Sequence, residues 1–439
     1  SGTFQMTGTS RYAALRFIPI ICAITSLAWE TNALAQEPEE AAQLSAVAAY
    51  VEGLRRARDS LMSASDYEAA LEPAQIVIRE LQTANQDASP DRIMLAIILA
   101  ELERHDDAEV ELLDVVEMMQ DDEGMWSDTL VTPLRLLGRT YIRARRFPQA
   151  ITALTQARDV SRRSAGLFNV DTQIGVIDDL TNAQLGLGDT VAARELQLER
   201  LETAQRQFGT EDPQVIPYHY HLAGYYEDSR LRTSAREQYQ AALEIAELHG
   251  DTEQILTALS NMLRQDLQLG TVRSNMIERL ELLLDSEPPD NATSARGIAY
   301  AVLGDIALID EEQSEAANLY AQAWNTLAAA GETDPGTYFE DPVPIRLITP
   351  LSAVDVAARS LPYAWGTMTL QFDVTKDGRI EEITGIGSEP AELMDDAYVE
   401  RLTEAWFRPS LVAGEPVDAP GVVFTHYFRY YVDPEAVED

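Results

Sequence analysis

The stretch 131–157 constrains the fold more than any other part of the chain. It reads VTPLRLLGRTYIRARRFPQAITALTQA, with apolar residues three and four apart on either side of a break at Arg145 and Arg146. This spacing predicts two antiparallel amphipathic helices. The small residues Gly138 and Ala150 stand where the two helices must approach closely. Because one helical hairpin cannot bury both of its faces, the stretch also predicts neighbours of the same kind.

The same order of large and small residues recurs along the chain between residues 45 and 331. Clusters of Asp, Gly and Pro separate the copies, as expected for helix ends and loops. Residues 262–284 are helical by period but keep little of the pattern. Depending on whether this stretch counts as a copy, we expect about six or seven helical hairpins. The other copies carry these residues: Leu54, Ala57, Leu61, Tyr67, Ala70 and Ala74; Leu95, Ala96, Leu99, Ala108 and Leu112; Leu180, Leu187, Gly188 and Ala193; Leu222, Ala223, Tyr226, Ala235, Tyr239 and Ala242; Leu303, Gly304, Ala307, Ala316, Tyr320 and Ala323.

This pattern resembles the tetratricopeptide repeat, whose signature places large and small residues in the same order. The resemblance implies a stack of hairpins with a concave groove lined by the first helix of each pair. Candidate partner-binding residues in that groove are Tyr218, Tyr220 and Tyr225, together with Arg139 and Arg143. The alternatives are that the tyrosines only pack between helices and that the arginines pair with nearby carboxylates. A generic helical bundle is the alternative fold.

The charge balance restricts the partners that such a groove can take. The formal net charge is −40, and Lys376 is the only lysine. A surface this acidic repels nucleic acid and anionic lipid headgroups, so neither is expected as a partner. Neutral or basic surfaces of other proteins fit, although the charge could also serve solubility alone. With one lysine, Schiff-base and general-base lysine chemistry is almost excluded.

The amino-terminal residues have the features of a secretory signal peptide. Arg11 and Arg16 precede an apolar run over residues 17–29, and an A-x-A site ends at Ala35. We predict a signal peptide over residues 1–35 followed by an acidic leader over 36–44, and hence a periplasmic protein. Removal would take away Cys22, the only cysteine, and leave no long apolar run to span a membrane. The alternative is an uncleaved anchor in the inner membrane.

The carboxy-terminal part changes from a helical to a strand period. Residues 332–349 are rich in Gly, Pro and Thr and are predicted to be a linker, with a strand at residues 345–348. Beyond it, alternating polar and apolar residues and a Gly-containing turn predict a β-hairpin, a helix and a last strand. The expected elements are a strand with Met368, Leu370, Phe372 and Val374 inward, a turn at Lys376–Arg379, a strand at Ile380–Ile386, a helix at Leu393–Phe407 with Leu393, Val399, Leu402 and Trp406 inward, and a strand at Gly421–Tyr431.

This β-β-α-β order resembles the carboxy-terminal domain of TonB, the energy transducer of the bacterial envelope. The matching motifs are Gly366, the Phe372–Val374 run, Asp377-Gly378-Arg379, Ser388-Glu389-Pro390, Trp406-Phe407-Arg408-Pro409 and Gly414-Glu415-Pro416-Val417. The resemblance covers residues 350–433, and residues 434–439 form an acidic tail. The predicted fold class is therefore α+β: an all-α tetratricopeptide-repeat solenoid followed by a small TonB-like domain.

The TonB resemblance implies that partners bind by strand addition at an exposed sheet edge. The candidate edge is the last strand, with Val422, Phe424, His426, Phe428 and Tyr430. Its alternative is an edge covered by the chain itself or by a second copy, so a homodimer is left open. Because no long Pro-rich spacer is present, energy transduction is not carried over.

No residue pattern points to catalysis. The five histidines lie outside known metal-ligand frames, and no nucleophile motif or phosphate-binding loop occurs. His426 in the last strand is expected to be a surface or edge residue rather than a base. We predict no catalytic residue, metal or cofactor, and a protein that is not an enzyme. The leading hypothesis is a periplasmic scaffold of a Gram-negative bacterium that binds envelope proteins or peptides, with a TonB-dependent outer-membrane transporter among the candidate partners. The alternatives are an inner-membrane-tethered energy transducer of the TonB family and an envelope enzyme of unknown class.

Overall fold

The computed structural model describes residues 47–163, 170–229, 231–286, 292–347, 363–391, 393 and 395–431. The predicted signal peptide, acidic leader and acidic tail lie outside these residues. The described chain divides into two compact units. The amino-terminal unit extends to residue 168 and includes 182–188, and the carboxy-terminal unit comprises 169–181 and the chain from residue 189 onward.

Helices dominate both units as far as residue 338. In the described residues they form seven consecutive pairs, followed by one short helix. Their bounds are α1 residues 47–63, α2 Tyr67–Thr83, α3 Ser89–Glu101, α4 His105–Glu123, α5 Val131–Arg143, α6 Phe147–Arg163, α7 Val170–Leu187, α8 Thr190–Phe208, α9 Ile216–Asp228, α10 Arg232–His249, α11 Thr252–Leu269, α12 Ser274–Ser286, α13 Ser294–Ile309, α14 Gln313–Ala330 and α15 Pro335–Tyr338.

Six of these pairs share one turn, which identifies them as repeats. In each, a backbone N–H just after the first helix donates to the carbonyl five residues earlier, at 2.7–2.9 Å. The structure describes the residue before the donor at five of these turns, and it is left-handed at all five, which is the geometry of a Schellman helix end. The accepting residues are Leu61, Leu99, Tyr141, Tyr226, Asp266 and Ala307, and all but Asp266 stand at the position of the predicted pattern that closes the first helix. The described helices are therefore tetratricopeptide-like hairpins.

Close helix contact explains the small residues of the pattern. In the α5–α6 hairpin, a Cβ atom added at Gly138 would overlap the Leu154 side chain, and Ala150 is fully buried. In the α13–α14 hairpin, a Cβ atom at Gly304 would lie 2.6 Å from the Tyr320 ring. The predicted close approach at Gly138 and Ala150 is confirmed.

The pair α7–α8 departs from the sequence prediction. Leu187 is 53% exposed and does not pack, and Gly186 lies inside α7 against Phe147. Gly188, with a φ of 86°, forms the turn between the two helices. The reason is that α7 continues to Leu187 before the chain reverses.

The carboxy-terminal unit ends in strands and one further helix. The three long strands form an antiparallel sheet in the order β3-β2-β7, and β1 pairs with β4 and β5 with β6. The elements are β1 Val343–Arg346, β2 Tyr363–Val374, β3 Ile380–Glu389, α16 Asp395–Thr403, β4 Trp406–Arg408, β5 Ser410–Val412, β6 Glu415–Val417 and β7 Ala419–Tyr431. The predicted order of hairpin, helix and last strand is present, with two short strand pairs added.

One face of the three-stranded sheet covers a core. The inward residues of β2 are buried as predicted, and Tyr398 and Leu402 of α16 are buried in the same cluster. The predicted helix Leu393–Phe407 was too long, and its inward set was partly wrong: Leu393 and Val399 are exposed. The cause is tertiary, because the residues from Trp406 to Arg408 pair with β1 as a strand.

The segment predicted as a linker is packed structure in its described part. Its residues form α15 and β1, and Phe339 between them is 1% exposed. The Phe339 ring stacks on Trp324 of α14 and meets Tyr338 edge-on. The predicted strand near Ile345 is confirmed as β1.

A buried ion pair joins the carboxy-terminal strands to the last helical hairpin. Arg408 of β4 donates to both carboxylate oxygens of Asp305 in α13, at 2.8 and 2.5 Å. The Tyr320 hydroxyl donates to the same carboxylate at 3.0 Å, and Arg408 also donates to the Tyr338 hydroxyl at 3.2 Å. Burial lowers the pKa of Arg408, but the charge and hydrogen bonds of Asp305, together with the hydroxyl groups of Tyr338 and Tyr320, outweigh burial and raise that pKa well above its ordinary value.

Smaller contacts continue the same seam. The Arg379 guanidinium lies 3.5 Å from the centre of the Trp406 ring and pairs with Glu311, which follows α13, at 3.1 Å. A Cβ atom at Gly378 would lie 2.6 Å from Leu308, so the predicted hairpin turn packs directly on α13. The strands and the last hairpin are therefore one packed body.

Substituting Gly138 by Ala is expected to lower the free energy of unfolding by about 1–3 kcal/mol, because the new methyl group overlaps Leu154. Urea denaturation of the full chain measures the change. The control is Gly53→Ala in α1, where nothing lies within 4 Å of the added carbon, so that variant should be neutral or slightly more stable. Equal effects of the two substitutions would contradict the close approach of α5 and α6.

Candidate partner-binding surfaces

One face of α9 forms an open groove within the carboxy-terminal unit. Its lining residues recur every three or four positions, and the groove encloses about 430 Å³. We call it the α9 groove. Two of its rings, Tyr220 and Tyr225, are half-buried at its base. It is lined by Pro217, Tyr220, His221, Gly224, Tyr225 and Asp228.

Neighbouring helices hold the base of this groove in place. The Tyr220 hydroxyl donates to the carbonyl of Gln254 at 3.1 Å, and its ring lies 5.9 Å from that of Tyr239. Above Gly224 the space is empty, since nothing lies within 4 Å of where a Cβ atom would stand. The groove therefore has an aromatic floor, in which Tyr220 is anchored to neighbouring helices, and an unfilled centre.

The electrostatic environment of the groove is acidic. Asp228 lies in its lining and is exposed. Burial raises the pKa of the Tyr225 hydroxyl, and the nearby carboxylates of Asp178 and Asp228 raise it further. Burial together with the charge of Arg200 lowers the pKa of His221, so its imidazole is neutral at pH 7.

Of the three predicted tyrosines, the structure brings Tyr220 and Tyr225 together and places Tyr218 elsewhere. Tyr218 packs against a separate cluster formed by Leu201, Val215 and Leu222. The guanidinium of Arg200 lies 4.9 Å from the centre of its ring. The packing interpretation therefore fits Tyr218, whereas Tyr220 and Tyr225 combine packing with an exposed surface.

The two predicted arginines line a smaller groove in the amino-terminal unit. This groove encloses about 130 Å³ between α3 and α5. Arg143 pairs with Glu101 at 2.8 Å, so the predicted alternative of pairing with nearby carboxylates holds for this residue. Arg139 is exposed and makes no ion pair within the described part of the chain. The remaining lining residues are Ala96, Ile97, Ala100, Leu112, Leu136 and Thr140.

Strand β7 lies at one edge of the described sheet, with β2 as its paired neighbour. The predicted edge residues Val422, Phe424, His426, Phe428 and Tyr430 point towards the sheet's core, where Phe428 is fully buried. His426 was expected to be a surface or edge residue. It lies on the edge strand, but its side chain is buried: it is 3% exposed, with its ring against those of Tyr398 and Phe424.

The outward side chains of β7 are the intervening residues. Val423 is 59% exposed and Tyr427 is 60% exposed, with Thr425 between them. A strand added at this edge would therefore pair with the β7 backbone. On one face of the sheet it would lie beside these exposed side chains, and on the other beside the covered core. The alternation of residue types along β7 predicts two faces of the strand, but it does not predict which face packs against α16.

The buried pair of Asp305 and Arg408 was not found from the sequence. Asp305 stands in an apolar helix, and its partner Arg408 is 103 residues away. Aligning the repeat copies would have drawn attention to it, since the residue after the close-approach position is Arg139 in α5, Gly224 in α9 and Asp305 in α13.

Within the described residues, no group of three or more His, Cys, Asp or Glu is placed to hold a metal ion. Among those same residues, every helix is too short or too polar to cross a bilayer.

Comparisons with known proteins find structural resemblance only. No family model matches the chain, and the curated proteins include no match. The C-terminal part of a tetratricopeptide-repeat-containing protein from Cytophaga hutchinsonii has a TM-score of 0.42 and 15% identity, covering 63% of this chain and 96% of that one. The apo form of RapI has a TM-score of 0.43 and 13% identity, covering 66% and 79%. A Rap protein in complex with competence and sporulation factor has a TM-score of 0.32 and 13% identity, covering 63% and 74%. The repeat assignment therefore rests on this chain's own helix pairs and turns.

Lowering the pH from about 7.5 to 5.5 is expected to destabilise the chain, in part through His219. Burial lowers the pKa of His219, although a hydrogen bond with Gln238 at 2.9 Å opposes the effect. Below pH 6.5, the ordinary pKa of histidine, the His219 side chain therefore binds a larger fraction of a proton in the unfolded chain than in the folded one. The contribution of His219 is complete above that pH and is lost as the pH falls through its folded pKa.

Urea denaturation over this pH range compares the native chain with His219→Gln, which should lose less stability on acidification. NMR titration of the His219 ring gives the folded pKa directly, with the chain in concentrated urea as its reference. A ring that titrates at or above its unfolded value would contradict the expectation.

Proposed function

We propose that this chain is a protein-binding scaffold of the bacterial envelope. In this proposal the helical repeats hold one partner in the α9 groove, and a second partner adds a strand to the edge of β7. The observation that carries the proposal is the α9 groove itself, in which half-buried tyrosines surround an unfilled space on the first helix of a repeat. An aromatic floor with a polar rim is typical of surfaces that bind extended segments of other proteins.

The second surface is supported by the strand order. An edge strand offers unpaired backbone groups to an incoming strand, and β7 is 13 residues long. The hairpin, helix and last strand follow the order seen in TonB-like domains, and we infer a TonB-like domain from this order and from the sequence motifs. A second copy of the chain is an alternative occupant of this edge.

Force transmission is not part of the proposal. In this structure the strands are held against the last hairpin by the buried pair of Asp305 and Arg408. A domain fixed in this way suits a scaffold, in which two partners are held at constant positions, better than a tethered relay that must move. A periplasmic location is inferred from the signal-peptide features of residues 1–35 alone.

Photo-crosslinking in the native cells tests both surfaces. The photoreactive residue p-benzoylphenylalanine replaces Tyr225 in the groove or Tyr427 on β7, and each adduct is identified by mass spectrometry. The matched control is the same replacement at Tyr50 in α1, a tyrosine that is 52% exposed. We expect one specific envelope protein from each of the two test positions and none from the control.

The result is read separately for each surface. Identical capture from all three positions would indicate non-specific contact and would contradict the scaffold. Capture of the chain itself at Tyr427 would instead assign the β7 edge to a homodimer. Amino-terminal sequencing of the same captured chain tests location: a start at Gln36 supports cleavage and the periplasm, and an intact amino terminus supports the membrane-tethered alternative.

A further inference from the structure

In the last repeat, Arg408 covers the helix position that corresponds to the open centre of the α9 groove. Aligned on the close-approach residues Ala223 and Gly304, the next residue is Gly224 in α9 and Asp305 in α13. In α13 this position is covered by Arg408, which is 4% exposed. The same position of the repeat is therefore occupied in one hairpin and vacant in the other.

The Arg408 site is built from rings and a carboxylate. Its guanidinium is hydrogen-bonded to Asp305 and lies 5.4 Å from the centre of the Tyr338 ring and 5.7 Å from that of Phe339. Aromatic faces attract a cation, and a carboxylate matches the planar guanidinium with two hydrogen bonds. These are the groups that make a buried arginine stable in this chain.

Among the residues that the structure describes, the lining of the α9 groove offers the same kinds of group without a cation. Its floor has the Tyr220 and Tyr225 rings, and the carboxylate of Asp228 lies one helical turn beyond Gly224. Arg200, the cation whose charge reaches this surface, is paired with Asp178 at 2.8 Å and lies over Tyr218. The lining itself therefore carries negative charge that nothing in the lining neutralises.

Packing does not account for the glycine at position 224. Gly138 and Gly304 are required because a larger residue would overlap Leu154 or Tyr320. At Gly224 a side chain would meet nothing, and glycine within a helix is less stable than alanine. A larger side chain at position 224 would instead fill the groove.

We propose that the α9 groove binds an arginine side chain presented by an extended segment of a partner protein. The guanidinium lies over the tyrosine rings in the space above Gly224 and pairs with Asp228. This inference rests on the proposed scaffold function and names the chemistry of one of its partners. It also fits the net charge of −40, which favours basic partners throughout.

Calorimetric titration with a defined probe tests the proposal. The probe is a capped heptapeptide with two arginines among alanines and serines, at about 150 mM salt so that long-range attraction is screened. The same peptide with citrulline at both positions keeps the shape and loses the charge. We expect binding of the arginine peptide at least about tenfold tighter than binding of the citrulline peptide.

Two variants locate the binding. Gly224→Leu fills the groove and should weaken the arginine peptide about tenfold, without lowering the melting temperature. Its control is Gly53→Leu, the same change at an exposed α1 glycine with nothing within 4 Å. Asp228→Asn should weaken binding about threefold, and Asp121→Asn on α4 is its control.

The outcomes separate this inference from the scaffold proposal. Equal affinity for the two peptides, no arginine-dependent heat at millimolar peptide, or equal loss in Gly224→Leu and Gly53→Leu would each overturn the inference. If crosslinking at Tyr225 still captures one specific protein in those cases, the scaffold stands and only the arginine is wrong. Absence of capture together with failed peptide binding would remove both.

Discussion

The ion pair of Asp305 and Arg408 is the interaction on which the carboxy-terminal unit depends. It lies in the seam between the last helical hairpin and the strands, and both side chains are almost inaccessible to water. A buried pair of this kind adds little stability over a well-packed apolar pair, but removing one partner leaves a buried charge that costs about 3–5 kcal/mol. We therefore infer that the pair contributes specificity, because an arrangement of the strands that separated the two side chains would leave both charges buried without a partner. Tyr320 and Tyr338 complete the hydrogen bonds and exclude water.

Helical repeats leave one kind of position free for function. The residues that close each hairpin are fixed by packing and by the shared turn, as Gly138 and Tyr141 illustrate. The residue after the close-approach position is not fixed in this way, and the chain uses it differently in each repeat. It is an exposed arginine at 139, an unfilled glycine at 224 and a buried aspartate at 305. One scaffold thus carries a docking site for its own carboxy-terminal strands and an open groove that we assign to a partner.

Local sequence patterns predicted the parts of this structure that local physics decides. The α5–α6 hairpin, the buried face of β2 and the turn at Gly378 follow from period, residue size and backbone freedom within a few residues. The errors came from interactions between distant segments. The helix predicted to reach Phe407 ends early because Trp406 to Arg408 pair with β1, 60 to 65 residues earlier. The burial of the His426 side chain was not predicted, because alternation defines two faces of a strand but not which face meets α16. Closeness in the sequence likewise grouped Tyr218, Tyr220 and Tyr225 without showing that Tyr218 packs on another cluster.

Hydrogen exchange of the Arg408→Met variant, measured by mass spectrometry, tests most directly whether the strands and the last repeat form one body. Methionine keeps much of the apolar stem of arginine and removes its charge, so Asp305 is left unpaired in the seam. The account predicts faster exchange in α13 and α14 and in β2 and β7 together, with α1 to α4 unchanged. Faster exchange confined to the strands, or no change anywhere, would contradict the claim that this ion pair joins the two.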